Sequence, residues 1–429
     1  MGIFTRSAVR AASIVLITSV FSFSVQAQSY KELIEENPDR AGGVYHYYEY
    51  SPSTFTKAPK GYKPFYISHY GRHGSRYHTG AGLFKGAVET LIAAEKAGLL
   101  TDEGKLLKSQ IDTVWSEHQG MFGMLSERGA EEHHGIASRL TAHYPEVISM
   151  ANFTSVLQER NADLRFHYVT GPKYLDYISM NLDTKDVIKG SNVLRKHLLD
   201  SLVSHERFFE AIFTDPAKAA KLTHNPKEFM DNVFLAGGIS PNTDARPDIF
   251  NHFTNDELTG LWISRNNKLY YSFGISKEEG EYVSSIAKPL IEDIVAKADR
   301  AVKPESDRAA DLRFGHDVGL LPLVGTIGIA GMEKRWKSAD VHERWFDFQM
   351  MPMASNIQMV FFRNKRGDVL VKLVYNEQET TIPAVKTVGG AFHRWEDLRE
   401  YLVKTAAAIP DEHIVKDNSG KERTGVNGM

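Results

Sequence analysis

The stretch Ile67-Ser68-His69-Tyr70-Gly71-Arg72-His73-Gly74-Ser75-Arg76-Tyr77 decides how this chain is read. The apolar run from Pro64 to Tyr70 predicts a strand that runs straight into a loop bracketed by Gly71 and Gly74. That loop carries His73 between Arg72 and Arg76. A guanidinium offers paired, planar donors that match phosphate oxygens two at a time. The glycines remove Cβ atoms where the backbone must approach a ligand or adopt positive φ. An imidazole set between two such forks can meet a bound phosphorus, so the string reads as a phosphate clamp with a nucleophile inside it. Position supports this, because ligands of open α/β sheets bind beyond the carboxyl ends of strands. A metal site built from His69, His73 and His78 is the rival. His69 precedes the loop on the strand and His78 follows it, so the three need not converge.

A second motif supplies what the clamp lacks. Asp311–Phe314 predicts another strand, which delivers Gly315-His316-Asp317. An alkoxide leaving a phosphoryl group needs a proton, and Asp317 is the candidate acid. A bound phosphate dianion would push its carboxyl towards the protonated form. His316 can hold a phosphate oxygen as a neutral donor or as imidazolium. Taken alone, Asp317 reads equally well as the N-cap of a helix over Gly319–Ile329. Both chemical loops follow strands, so one sheet edge can bring them together.

Elsewhere the chain is ordinary. Its 429 residues are 42% hydrophobic and 24% charged, with a net charge of -3. There is no global basic field to recruit nucleic acid or an anionic membrane, so an anionic substrate needs a local positive pocket. Arg6 and Arg10, the apolar stretch Ala11–Val25 and Val25-Gln26-Ala27 form a signal-peptide pattern over residues 1–27. This predicts a mature chain from Gln28 in the periplasm or beyond. With no cysteine, the exported chain relies on its core rather than on disulfides, and thiol catalysis is excluded.

Periodicity predicts helices at Tyr30–Pro38, Leu83–Ala97, Thr101–Gln119 and from Ser126 to just before Tyr144-Pro145, and a strand at Leu164–Val169. Asp186–Val302 reads as mostly helical, with loops at Gly237-Gly238 and Pro241–Pro247 and the longest helical stretch at Ile275–Val302. Ile357–Arg363 and Val369–Tyr375 flank Asn364–Asp368 as a β-hairpin. Phe392–Ala408 closes the fold as a helix, and the tail after Ile414 is polar. The expected fold is α/β: a mixed central sheet flanked by helices, from 28–165 and 305–429, with a helical cap inserted at 166–304. Glu131-Glu132-His133-His134 points in four directions on a helix and reads as solvated rather than as a metal cluster. His393, Trp395 and Trp345 read as packing or surface residues.

The two motifs together resemble the histidine acid phosphatases. Tyr70–Tyr77 is similar to that family's signature loop and Gly315-His316-Asp317 to its distal motif. Met124-Leu125-Ser126-Glu127-Arg128-Gly129 is similar to the short segment between them. Arg72–Tyr77 and Ala354–Phe361 lean towards the bacterial multiple inositol polyphosphate phosphatases. The resemblance spans nearly all of the mature chain. It implies a histidine-phosphatase-type core with a cap, His73 as the phosphorylated nucleophile, Arg72, Arg76 and His316 as phosphate ligands, and Asp317 as proton donor. Water would then hydrolyse the phosphohistidine. It implies a phosphomonoester substrate, phytate-like inositol polyphosphates first, with no metal, no organic cofactor and no protein partner.

Two departures stand against the pattern. The inositol polyphosphate branch usually carries His-Ala-Glu where this chain has His316-Asp317-Val318, as in broader acid phosphatases and many phytases. Members also carry a strand and a third phosphate-binding arginine where Val147 here passes directly to Ile148, and no residue matches that arginine. A broad-range acid phosphatase and an inactive phosphate-binding remnant are therefore the alternative expectations.

Overall fold

The computed structural model describes residues 28–145 and 184–410. The expected signal peptide, the Leu164–Val169 strand, the Val147–Ile148 junction and the tail after Ile414 lie outside these residues.

The architecture is built on β1 (Lys63–Arg72). It pairs in parallel with β2 (Ala310–Gly315) and antiparallel with β3 (Asn356–Arg363). β3 continues antiparallel to β4 (Val369–Tyr375), and β7 (Phe392–Arg394) and β6 (Thr387–Val388) complete the far edge. β5 (Gln378–Thr380) also pairs with β4. Among the described residues this is one seven-stranded mixed sheet. The β3–β4 hairpin forms at the expected place, with Asn364 Oδ1 accepting from the backbone N–H groups of Arg366 and Asp368.

Alternation along β1 places its side chains in two cores. Tyr66 and Tyr70 face a core closed by the helices Lys288–Ala301, Asp317–Ile327 and Trp395–Ala407. Ile67 faces the other side, where Leu140 and Tyr144 at the end of the helix Glu127–His143 meet Val360 and Phe362 of β3. The expected mixed sheet flanked by helices is the observed fold.

A further core is built mainly from helices. Leu33, Phe84, Leu91 and Leu107 of the N-terminal helices share it with Phe208, Phe229, Phe250 and Trp262. The packing boundary thus departs from the chain boundary at 166–304. Lys288–Ala301 packs with the sheet, whereas the helices Lys85–Lys96 and Asp102–His118 pack with the helical block.

Four local expectations change. Gly237 and Gly238 lie inside the helix Pro226–Ile239 rather than in a loop. They are small for packing: a Cβ on Gly238 would stand 3.1 Å from Gly42 Cα, and one on Gly237 would stand 2.6 Å from the Phe250 ring. Ile275–Val302 is broken by a turn that folds Gly280 against Ile275, and a new helix starts at Lys288-Pro289; the longest described helix is Asn255–Phe273. Phe392–Arg394 is a strand, and the closing helix starts at Trp395. The helix expected over Gly319–Ile329 runs from Asp317 to Ile327, with His316 in the cap position that was weighed for Asp317.

Candidate active site

The parallel pairing of β1 and β2 sets Arg72 opposite Gly315. The two chemical loops therefore leave the same edge of the sheet. Their backbones are tied there: the His73 N–H donates to Gly315 O at 3.0 Å, the Arg72 N–H to Ser355 O at 2.8 Å, and the Ala354 N–H to His73 O at 2.9 Å. His73 and His316 face each other with ring centroids 5.4 Å apart.

Arg72 is 1% exposed. Its Nη1 donates to Val44 O at 2.7 Å and to Met351 O at 2.8 Å, and its Nη2 lies 3.2 Å from Asp317 Oδ2. Its Nε is buried without a protein partner, as are Arg76 Nε and His73 Nε2. His73 Nδ1 lies 2.9 Å from Gly74 O, so this nitrogen carries the proton as donor and Nε2 presents its lone pair. Burial, reinforced by Arg72 and Arg76, drives the His73 imidazolium down to about 2, so the ring is neutral at any working pH. Burial likewise lowers Arg76, with Arg72 adding to it. Buried donors are normally satisfied. Two arginine Nε–H groups and an imidazole nitrogen without protein partners, with both arginines acting on the His73 ring, form a set suited to a tetrahedral oxyanion.

Asp317 opens its helix, and its Oδ1 accepts from the Val318 N–H at 3.0 Å. Burial pushes its carboxyl up, but the Arg72 guanidinium above all, with the Val318 N–H, outweighs that and holds it below the ordinary range. In the free site it is thus an ionised partner of Arg72. A phosphate dianion that engages Arg72 and adds like charge reverses both influences.

The glycines of the signature do a different job from the one expected. Neither Gly71 nor Gly74 has positive φ. A Cβ on Gly71 would stand 2.7 Å from the His69 ring, and one on Gly74 would stand 2.5 Å from Gly129 O. The close approach is to protein rather than to a ligand. Gly129 in turn admits Ser75 O, 2.1 Å from where its own Cβ would be. Ser126 caps this helix and donates its N–H to Ser75 O at 3.0 Å. The Met124–Gly129 segment is therefore a buttress for the clamp.

Glu132 is not merely solvated. Its carboxylate accepts the Ser75 N–H at 2.7 Å, the Ser75 hydroxyl at 2.8 Å and the Tyr48 N–H at 2.9 Å. The Ser75 hydroxyl also lies 2.9 Å from Asn242 Oδ1, and Asn242 Nδ2 donates to Tyr45 O at 2.7 Å. The i, i+3 spacing of Gly129 and Glu132 on one helical face was the available signal. Val44, Met351 and Asn242 had none, because carbonyl acceptors and a lone amide have no sequence signature. His133 packs on Phe314, and Glu131 and His134 are exposed. His393, Trp395 and Trp345 are buried packing residues.

The metal alternative does not assemble. His78 is buried with its Nε2 3.2 Å from Leu235 O, and His69 packs on Phe314. Among the described residues no group of three His, Cys, Asp or Glu side chains is placed to hold a metal ion.

A second positive region lies beyond Tyr45. Asp231 accepts from Arg265 Nε at 3.0 Å and Nη2 at 2.6 Å, and also from Arg195. Burial, then Arg195 and Arg265, lower the Lys268 ammonium. Arg195 Nε is buried and unpartnered. Arg195 and Arg265 thus share the Asp231 carboxylate, Lys268 lies within their electrostatic reach, and Glu228 also acts on Arg195. Arg265 acts electrostatically on Tyr45, as do Asp317, Arg76 and Arg72.

Comparison with known proteins finds one family model and several similar folds. Residues 206–376 match the family model of the histidine phosphatase superfamily (branch 2). The fold is similar to the multiple inositol polyphosphate phosphatase of Bifidobacterium longum, solved in complex with inositol hexasulfate. The TM-score is 0.68 at 16% identity over 87% of this chain and 98% of that one. It is also similar to the phytase from D. castellii, with a TM-score of 0.66 at 14% identity over 90% of this chain and 89% of that one. At these identities the likeness establishes the fold. No curated protein matches by sequence.

Proposed function

We propose that this chain, whose residues 206–376 match the histidine phosphatase superfamily (branch 2), is a phosphatase of that family and hydrolyses phosphomonoesters through a phosphohistidine on His73. The observation that carries this is that His73 Nε2, Arg72 Nε and Arg76 Nε are all buried without protein partners, while both arginines act electrostatically on the His73 ring. Arg72, Arg76 and His316 hold the phosphoryl oxygens. His73 Nε2 attacks phosphorus, the P–O ester bond breaks with its electron pair on the leaving oxygen, and Asp317 gives that oxygen a proton. Water then attacks the phosphohistidine, the P–N bond breaks back onto Nε2, and the Asp317 carboxylate takes the proton released by water.

The preferred substrates in this reading are inositol polyphosphates of the phytate type. The cation excess of Arg195, Arg265 and Lys268 supports it, since a monophosphate leaves nothing for those charges to meet. His316-Asp317-Val318 keeps a broad-range acid phosphatase as the second reading. Export through residues 1–27 is part of the proposal and rests on the signal-peptide pattern alone.

Phosphate release from phytate and from a sugar monophosphate, by the native chain and by His73→Ala, tests the proposal. The native chain should turn over phytate with the higher kcat/KM, and the variant should turn over neither. Turnover by His73→Ala would refute the covalent route. Equal rates on both substrates would favour the broad-range reading.

A further inference from the structure

Arg72 is steered from behind. Both acceptors of its Nη1, Val44 O and Met351 O, are backbone carbonyls from segments about 300 residues apart in sequence. Neither segment is stiff by itself: one closes a 3-10 stretch, Pro38–Tyr45, and the other follows the single turn Asp347–Met350. Asp347 touches both. Its backbone carbonyl accepts the Met351 N–H at 2.7 Å. Its Oδ2 lies 2.6 Å from where a Cβ on Gly43 would stand, and Gly43 has φ 60, so only glycine suits that position. Its Oδ1 accepts Trp262 Nε1 at 2.8 Å, and its backbone N–H donates to Asn266 Oδ1 at 2.9 Å. Trp262 and Asn266 belong to the long helix Asn255–Phe273.

The residue is 2% exposed, and among the described residues no lysine or arginine is ion-paired with it. A buried carboxyl without a counter-charge is costly. Burial raises it to about 7, while Trp262, the backbone N–H groups of Phe348 and Val44, and Arg72 only partly offset this. Here the carboxyl joins the two carbonyl-bearing segments to one helix.

We infer that Asp347 is a positioning residue for the phosphatase reaction: it fixes Val44 O and Met351 O against the Asn255–Phe273 helix, and those carbonyls set the plane of the Arg72 guanidinium. Asp347 does not touch substrate. It acts through Arg72, whose free Nε points at the phosphate only while Nη1 is held on both carbonyls. The inference rests on the proposed phosphate site.

The test is a double-mutant cycle between Asp347→Asn and Arg72→Lys, read by kcat/KM on p-nitrophenyl phosphate and by the affinity for inorganic phosphate from calorimetry. At pH 8, above its raised value of about 7, the ionised carboxyl accepts through both oxygens, which an amide cannot do. Asp347→Asn should cost roughly tenfold to a hundredfold in kcat/KM, the scale of a catalytic group misplaced by about 1 Å, and should weaken phosphate binding. The decisive reading is coupling: with Arg72 already replaced, Asp347→Asn should cost less than about threefold more. A merely structural role would give losses that multiply. Multiplying losses, or an Asp347→Asn variant with native kcat/KM and phosphate affinity, would overturn the inference. If Asp347→Asn does not fold, Trp262→Phe removes only the Nε1 donor and enters the same cycle. Failure of the proposed function would appear separately, as a native chain that binds phosphate but releases none from p-nitrophenyl phosphate; the calorimetric cycle still decides the role of Asp347.

Discussion

Replacing Arg72 by lysine keeps the charge and removes the fork. In the native site Nη1 spans Val44 O and Met351 O, Nη2 meets Asp317, and Nε is left for the ligand. An ammonium has three donors around one point and cannot serve two carbonyls, a carboxylate and a phosphoryl oxygen in four directions. Losing one charged donor to the transition state costs about 2–4 kcal/mol, which is roughly a thirtyfold to thousandfold loss in kcat/KM. Leaving one of the buried carbonyls without a partner costs about 1–3 kcal/mol of stability. Steady-state hydrolysis of p-nitrophenyl phosphate, with thermal melting followed by circular dichroism, measures both. An Arg72→Lys variant within threefold of native activity, by about 0.6 kcal/mol or less, would show that the Arg72 fork does not meet the phosphoryl group. A loss confined to KM would show that Arg72 binds substrate and transition state equally.

Asp317→Asn should slow alkyl phosphates far more than aryl phosphates, whose leaving groups need little protonation; equal losses, measured as kcat on both, would leave Asp317 only its role as a partner of Arg72. Gly129→Ala places a Cβ 2.1 Å from Ser75 O and must push the clamp aside; kcat should fall on the order of a hundredfold, and native turnover would show that the buttress does not set the clamp. Asp347 predicts a pH dependence of stability. Its carboxyl is raised from 3.8 to about 7 in the folded chain, so its contribution is intact below the unfolded value and is lost as pH rises through the folded one. The loss amounts to about 4 kcal/mol. Asp347→Asn should therefore show a smaller fall in Tm between pH 4.5 and 8 than the native chain, and parallel profiles would refute the shift. Inserting a family-type strand and arginine segment between Val147 and Ile148 should raise both turnover and Tm; native turnover of phytate at ordinary enzyme rates would show that another residue fills the third arginine's place.

The proposed constellation was legible in the sequence because its chemistry depends on residue types at short spacing. Arg72, His73 and Arg76 lie within five residues, and His316 and Asp317 are adjacent. The strands were legible because β1, β3 and β4 carry dense apolar runs between clear turns. The remaining decisions were tertiary. Gly237 and Gly238 look like a turn, yet sit in a helix because Gly42 and Phe250 press against them. Gly71 and Gly74 look like ligand-facing glycines, yet make room for His69 and Gly129. Sequence identifies a residue without a Cβ but not what fills the space. It also leaves open which atoms of an arginine remain free. Arg72 is held by two carbonyls from distant segments, and those carbonyls by a buried aspartate, through contacts that backbone atoms make only after the chain has closed on itself. Local spacing determined which groups are candidates for the chemistry, and long-range packing decided how they are held.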